Sequence, residues 1–172
     1  LYRAHYVIRN LEEGLIQADI PYVIYSGAQF FDRMEIKDAL CYLRMIACRD
    51  DMAFRRIVNK PKRNIGRRRM DFLTEKAQEE NTSLYETLKK YAEDPLFKKT
   101  KAGDFIDLIE YFTKDSEGKQ VSEVLSAILD ESGYEKMLRT EGSQERLDDL
   151  AELKQSIFEY ESTAGEETSI SD

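Results

Sequence analysis

The chain has no apolar run approaching the roughly 18 to 20 residues that a membrane span requires, and it does not open on the charged-then-apolar pattern of a secretory signal. Membrane and secreted classes are therefore not expected, and a cytoplasmic location is. Histidine occurs once, as His5, and cysteine twice, as Cys41 and Cys48, with no C-x-x-C pair. A zinc-ligand set is missing, and a Ser-His-Asp or Cys-His centre would have to rest on His5 alone. The cysteines stand seven residues apart in one expected helix, a rise of roughly 10 Å and too far for a disulfide, so they read as reduced thiols. There is no G-x-x-x-x-G-K-S/T loop and no G-x-G-x-x-G turn, hence no self-contained nucleotide site. Only three prolines and eight glycines interrupt 172 residues, 35% of them charged, which points to long soluble helices. Ten tyrosines, eight phenylalanines and a 41% hydrophobic content suffice for a real core.

The net charge of −8 conceals an asymmetry. Residues 1–70 carry 14 basic and 8 acidic side chains, whereas residues 71–172 carry 12 and 26. Between Met52 and Met70 lie eight basic residues (Arg55, Arg56, Lys60, Lys62, Arg63, Arg67, Arg68, Arg69) and no acid. Such a block suits a polyanion docking at one place, with release of condensed counterions. It also fits a solvated loop whose arginines pair with the acidic half, and charge alone does not choose between the two.

Periodicity divides the chain into short segments. Leu1–Val7 and Pro21–Tyr25 read as strands around a helix at Arg9–Ala18, a fragment of an α/β layer. Asp32 followed by Glu35 forms a capping-box-like start to a helix through Arg49. Asp50-Asp51 begins a short helix to about Asn59, stopped by Pro61. Further helices are expected at Arg67–Glu80, from Ser83 through Tyr91, and at Gly103–Thr113, Ser122–Glu131, Tyr134–Thr140 and Gln144–Tyr160, with Gly133 as a C-terminal cap. Residues 161–172 have almost no apolar side chain and carry net charge −4, and a flexible acidic tail is expected there. The opening on Leu1 rather than Met suggests an excerpt from a longer protein. No internal repeat is present.

Carboxylate pairs such as Glu12-Glu13, Glu79-Glu80 and Asp148-Asp149 fall where solvated helix faces would put them. The segment from Lys60 to Gly66, between two expected helices, is more informative. A tight turn with Gly66 just before a helix leaves backbone N–H groups free at the positive end of a dipole, suited to a phosphate oxygen. This is the chemistry of a helix-hairpin-helix contact with a nucleic-acid backbone; a plain interhelical turn with exposed arginines has the same pattern. Farther upstream, Phe30 and Phe31 are candidates to stack on bases of a single strand, with Arg33 on a phosphate. The two rings could equally plug the core beneath the following helix.

Three stretches together carry a family resemblance. Residues 1–47, containing FFDRMEIKDALCYLR at 30–44, are followed by NKPKRNIG at 59–66 and by VSEVLSAILDESGYEKMLRTEGSQERLDDLAELK at 121–154. The set resembles the UvrD/PcrA/Rep group of superfamily 1A DNA helicases, PcrA-like members above all. The family's Gly-Ile-Gly turn, whose backbone meets duplex phosphates, falls on Asn64-Ile65-Gly66, with asparagine in the place of the first glycine. Its Gly-Gly-x-Arg-Phe-Phe-x-Arg-x-Glu-Ile-Lys-Asp block falls on Ser26 to Asp38, with Ser26 replacing a glycine and Gln29 a basic residue.

The resemblance implies a mainly α protein: residues 1–45 as the edge of the RecA-like motor domain 2A, a small α/β fragment, and residues 46–160 as a helical 2B-type subdomain. It implies an ATP-dependent 3′–5′ helicase whose Walker motifs, ATP and Mg²⁺ lie outside this chain, with no cofactor in the chain itself and no catalysis by it alone. The expected duplex-backbone site is Lys62, Arg63, Asn64, Ile65, Gly66, Arg67 and Arg68, with Phe30 and Arg33 near the single strand. Partners implied are DNA at a single-strand/duplex junction, the remaining motor domains and a repair protein, with a role in regulating unwinding during repair or replication. Two competing readings are a protein-interaction or autoinhibitory module using the acidic half, and a free-standing helix-hairpin-helix protein.

Overall fold

The computed structural model describes residues 27–169, with side chains for 29–164, and these residues form nine α-helices and no strand. The expected strand–helix–strand fragment at residues 1–25 lies outside the described residues. In order, the helices are α1 (Gly27–Asp32), α2 (Met34–Cys48), α3 (Asp51–Ile57), α4 (Arg67–Glu80), α5 (Leu84–Tyr91), α6 (Ala102–Asp115), α7 (Val121–Glu131), α8 (Tyr134–Thr140) and α9 (Gln144–Ser169).

Helix α2 is the hub, because its apolar residues recur at three- and four-residue spacing and then continue around the helix. Ile36, Ala39, Tyr42, Leu43, Met45 and Ile46 are all buried, and α2 packs against α3, α6, α7 and α9. One continuous apolar core runs from Phe30 to Ile157, with Tyr42, Phe54, Tyr85, Phe105, Phe112 and Tyr134 as its largest side chains. The boundary expected after residue 45 falls inside α2, at two consecutive core residues, and breaks nothing in the helix. Arg49 ends α2 in the left-handed conformation (φ 52°), its N–H reaching the carbonyls of Arg44 and Met45.

Side chains close several helix ends as their spacing predicts. Asp50 accepts the N–H of Ala53 at 2.7 Å to start α3, and Ser83 accepts that of Glu86 to start α5. Asp51 reaches across to the N–H of Leu84 at 2.9 Å, tying α3 to α5. The expected capping role of Asp32 is not taken. That residue ends α1 and pairs with Lys37 at 3.2 Å, and the extended residue before α2 is Arg33.

The last helix runs on to Ser169, through residues expected to form a tail. A long-range cap accompanies the extension. The Glu161 carboxylate accepts the Val121 N–H and, at 2.6 Å, the Ser122 hydroxyl, closing the N-terminus of α7, whose own preceding residue Gln120 provides no side-chain cap. Glu161→Ala is expected to lower stability by about 1 kcal/mol, the usual worth of an N-cap, read as a lower urea midpoint at unchanged m-value.

Candidate nucleic-acid interface

The connection between α3 and α4 is built by one asparagine and one arginine. Beyond Ile57 the chain turns through a cis Lys60–Pro61 peptide, and the Asn59 side-chain carbonyl accepts the N–H groups of Arg63 at 2.8 Å and Ile65 at 3.2 Å. This closure makes the side chains alternate. Lys62, Asn64 and Gly66 face solvent, whereas Arg63 and Ile65 are buried, 5% and 1% exposed.

The burial of Arg63 corrects its expected role. Its guanidinium donates to the carbonyls of Ile57 (3.0 Å), Val58 (3.1 Å) and Lys60 (3.3 Å) and to the Tyr42 hydroxyl (3.0 Å), and stacks 4.9 Å from the centroid of the Phe105 ring. A helix C-terminus leaves carbonyls without partners, and arginine alone offers five donors in a planar fork. Arg63 is thus the bracket that shapes the turn, its two terminal nitrogens engaged on acceptors of the fold. Tyr42 completes it by donating to the Lys60 carbonyl at 2.5 Å; burial pushes its hydroxyl pKa up against the pull of Arg63, so the phenol stays protonated.

Asn64 takes the left-handed conformation (φ 62°) that a turn with glycine would use, a region asparagine enters more readily than most residues. Its side-chain amide donates to the Lys99 carbonyl at 2.9 Å. Gly66 precedes α4 in an extended conformation open to any residue, and a Cβ placed there would meet nothing within 4 Å. Its carbonyl accepts from Arg69 and Met70, and no side chain caps the helix. Among the described residues no acceptor meets the N–H groups of Arg67 or Arg68. Arg67 is almost wholly in water and reaches only Asp71, one turn along, at 4.0 Å. Lys62 and Arg68 are exposed as well. The other cations of the block hold the fold: Arg56 and Lys60 bond Asp38, Arg55 bonds Thr74, and Arg69 bonds the Leu96 and Asn64 carbonyls.

The weaker candidates lie elsewhere and face differently. Phe30 is 4% exposed, edge-on to Phe31 at 5.3 Å, and offers no face to a base. The reason is local. Residues 27–32 form a helical turn rather than a loop, and that turn sets Phe30 against the core. Arg33 covers the Phe30 ring and forms an ion pair with Asp149 of α9. Burial, then a hydrogen bond with Asp149, pushes the Glu35 pKa up beside it. This acid-rich corner is a poor seat for a phosphate.

Sequence reading missed the segment that borders the turn. Phe97 is buried against Phe72 of α4, leaving Lys98, Lys99 and Lys101 exposed beside Lys62–Gly66. The only hint was a second run of lysines 35 residues downstream; that the two runs meet is a product of tertiary folding.

A helical domain that sets cations and uncapped N–H groups around an interhelical turn has the chemistry to hold an anion. Comparison with known proteins is more specific. The family described as UvrD-like helicase C-terminal domain matches residues 1–171. The ATP-dependent DNA helicase PcrA of Staphylococcus epidermidis is 37% identical over 167 residues, covering 94% of this chain and 23% of that protein. PcrA of Staphylococcus aureus is 35% identical over the same length and shares. The chain belongs to the UvrD-like helicase C-terminal domain family, and spans about a quarter of the length of these relatives.

Proposed function

We propose that this chain is the part of an ATP-dependent 3′–5′ DNA helicase that comprises most of a 2B-type subdomain with the adjoining edge of motor domain 2A. In this reading it docks on the sugar–phosphate backbone of duplex DNA through the helix-hairpin-helix-like turn before α4. The supporting observation is the alternation at residues 62–66. With Arg63 and Ile65 turned inward, Lys62, Gly66 and the uncapped start of α4, with Arg67 and Arg68, are left facing solvent. Cations and backbone N–H groups contact phosphates without reading sequence, which suits a motor that must act on any duplex.

ATP and Mg²⁺ belong, in this reading, to the rest of the parent helicase. The sequence contains no G-x-x-x-x-G-K-S/T motif of the kind that cradles a nucleotide triphosphate. The module's contribution is to position duplex ahead of the motor and so to regulate unwinding in repair or replication, with the motor domains and a repair protein as partners.

Anisotropy of a fluorescent duplex bearing a 3′ single-stranded tail, titrated with the chain between 50 and 200 mM salt, tests the reading. Affinity is expected to fall steeply with salt, by about 0.9 log unit per log unit of salt for each phosphate neutralised. Arg67→Ala combined with Arg68→Ala is expected to make the slope shallower by about 1.8 on the same scale. Absence of binding at 50 mM salt, by a chain whose circular dichroism is helical, would refute autonomous docking.

A further inference from the structure

We infer that Lys98, Lys99 and Lys101, in the connection between α5 and α6, form a second phosphate-binding element that engages the same duplex backbone as the turn before α4. The inference rests on the reading above and adds to it a site at a different place in the chain. Three hydrogen bonds fix this connection to the turn: Asn64 Nδ2 to the Lys99 carbonyl at 2.9 Å, the Lys101 N–H to the Arg63 carbonyl at 3.0 Å, and Arg69 Nε to the Leu96 carbonyl at 2.7 Å.

The connection is also stiff in itself. Asp94 accepts the Leu96 N–H at 2.8 Å, and the Thr100 hydroxyl donates to the Phe97 carbonyl at 2.7 Å and accepts the Ala102 N–H at 3.2 Å. Both segments therefore follow one plan, in which a buried anchor, Ile65 or Phe97, holds the backbone while adjacent cations point to water. Among the described residues the amines of Lys98, Lys99 and Lys101 enter no ion pair. Glu93 and Asp104 stand exposed on the flanks, whereas Asp94 is engaged on backbone.

The chemistry selects phosphates over bases. Stacking on bases needs exposed aromatic faces, and the large apolar side chains exposed among the described residues are Met34, Met52, Tyr111, Phe158 and Tyr160, none of them in either segment. The hydrogen bonds hold the backbones of two adjoining loops in one arrangement, which suits the regular backbone of a duplex better than a flexible strand. The asparagine at position 64 also gains a reason. It keeps the left-handed turn and supplies the side-chain amide that ties the lysine segment down, which glycine cannot do.

The test compares the same duplex titration for Lys98→Ala/Lys99→Ala and for Lys114→Ala/Lys119→Ala. Of the control lysines, Lys114 lies at the opposite end of α6, about 20 Å from Lys101 at 1.5 Å per residue, and Lys119 lies beyond that end. The first pair is expected to make the salt slope shallower by about 1.8 log units, and the control to leave it at the parent value. A Lys98/Lys99 variant indistinguishable from the parent, or from the control, overturns the second element. If Arg67→Ala/Arg68→Ala still weakens binding in that case, docking through the turn stands and only this inference falls. If the parent chain does not bind at all, both fall together.

Discussion

Replacing Arg63 with alanine is expected to lower the unfolding free energy by about 3 kcal/mol or more, since each buried polar group left without a partner costs about 1–3 kcal/mol. The substitution leaves the Val58 carbonyl without its donor, takes one of two donors from the Ile57 and Lys60 carbonyls and the donor to the Tyr42 hydroxyl, and opens a cavity against Phe105. The unfolded chain loses nothing comparable, because water serves all these groups there. Arg63→Lys is expected to recover only part of the loss: an ammonium keeps the charge but cannot span four acceptors with a planar fork. Urea denaturation followed by circular dichroism reads the effect. The opposite pattern, an unchanged midpoint with a shallower salt slope for DNA binding, would show Arg63 acting on phosphate in solution and would overturn its assignment as the bracket of the turn.

The contrast between Arg63 and Arg67 explains what the sequence could and could not reveal. Both sit in one basic block, and charge patterning treats them alike. What separates them is the geometry of two hydrogen bonds accepted by Asn59, which turns one inward and leaves the next helix start outward. Helix positions were legible for a different reason: α4 and α8 occupy the ranges that apolar spacing and end signals predict, because those signals are local. The extension of α9 past Tyr160 was not legible. Composition there is polar, and the contact that Glu161 makes with Val121 lies 40 residues away, at the start of α7. The bend at Arg33 escaped for a related reason, since Asp32 has the chemistry of a cap yet belongs to the preceding helical turn. Long-range pairing likewise placed Lys98–Lys101 beside the candidate interface.

The arrangement of the block also bears on the competing reading, in which the arginines pair with the acidic half. Among the described residues the block meets that half in one ion pair, Arg67 with Asp71 at 4.0 Å; Arg56 and Lys60 converge on Asp38 of α2, which lies outside it, and Arg33, which pairs with Asp149 within it, stands upstream of the block. Among the described residues Lys62 and Arg68 enter no ion pair, and Arg67 reaches only Asp71, at 4.0 Å. The inner members of the block brace the backbone of the turn, so the outer cations are carried on a fixed frame and only their side chains have to be ordered when a ligand arrives.

Removing the carboxylate of Asp38 is expected to be the other severe change. Its side chain is 2% exposed and accepts from Arg56 Nε at 2.7 Å, from Lys60 Nζ at 3.3 Å and from the Tyr134 hydroxyl at 2.7 Å. One group thus joins α2, α3, the turn and α8. Burial, and then the bond to Asp38, pushes the Tyr134 hydroxyl pKa well up, so the tyrosine remains a donor to the carboxylate across the ordinary pH range. Asp38→Ala leaves two cations and a phenol facing a vacated site, and breaking a buried ion pair from one side costs about 3–5 kcal/mol. Asp38→Asn keeps the shape and one acceptor oxygen while losing the charge, and is expected to fall between the parent and the alanine variant. Tyr134→Phe in the Asp38→Ala background is expected to cost less than in the parent, because its partner is already gone, and that double-mutant cycle measures the coupling directly. Additive losses would mean that Asp38 and Tyr134 act independently, and the carboxylate would then be serving only its two cations. Because Lys60 precedes the turn and Arg63 closes it, a loss at Asp38 is also expected to weaken duplex binding, without touching any residue placed at the DNA surface.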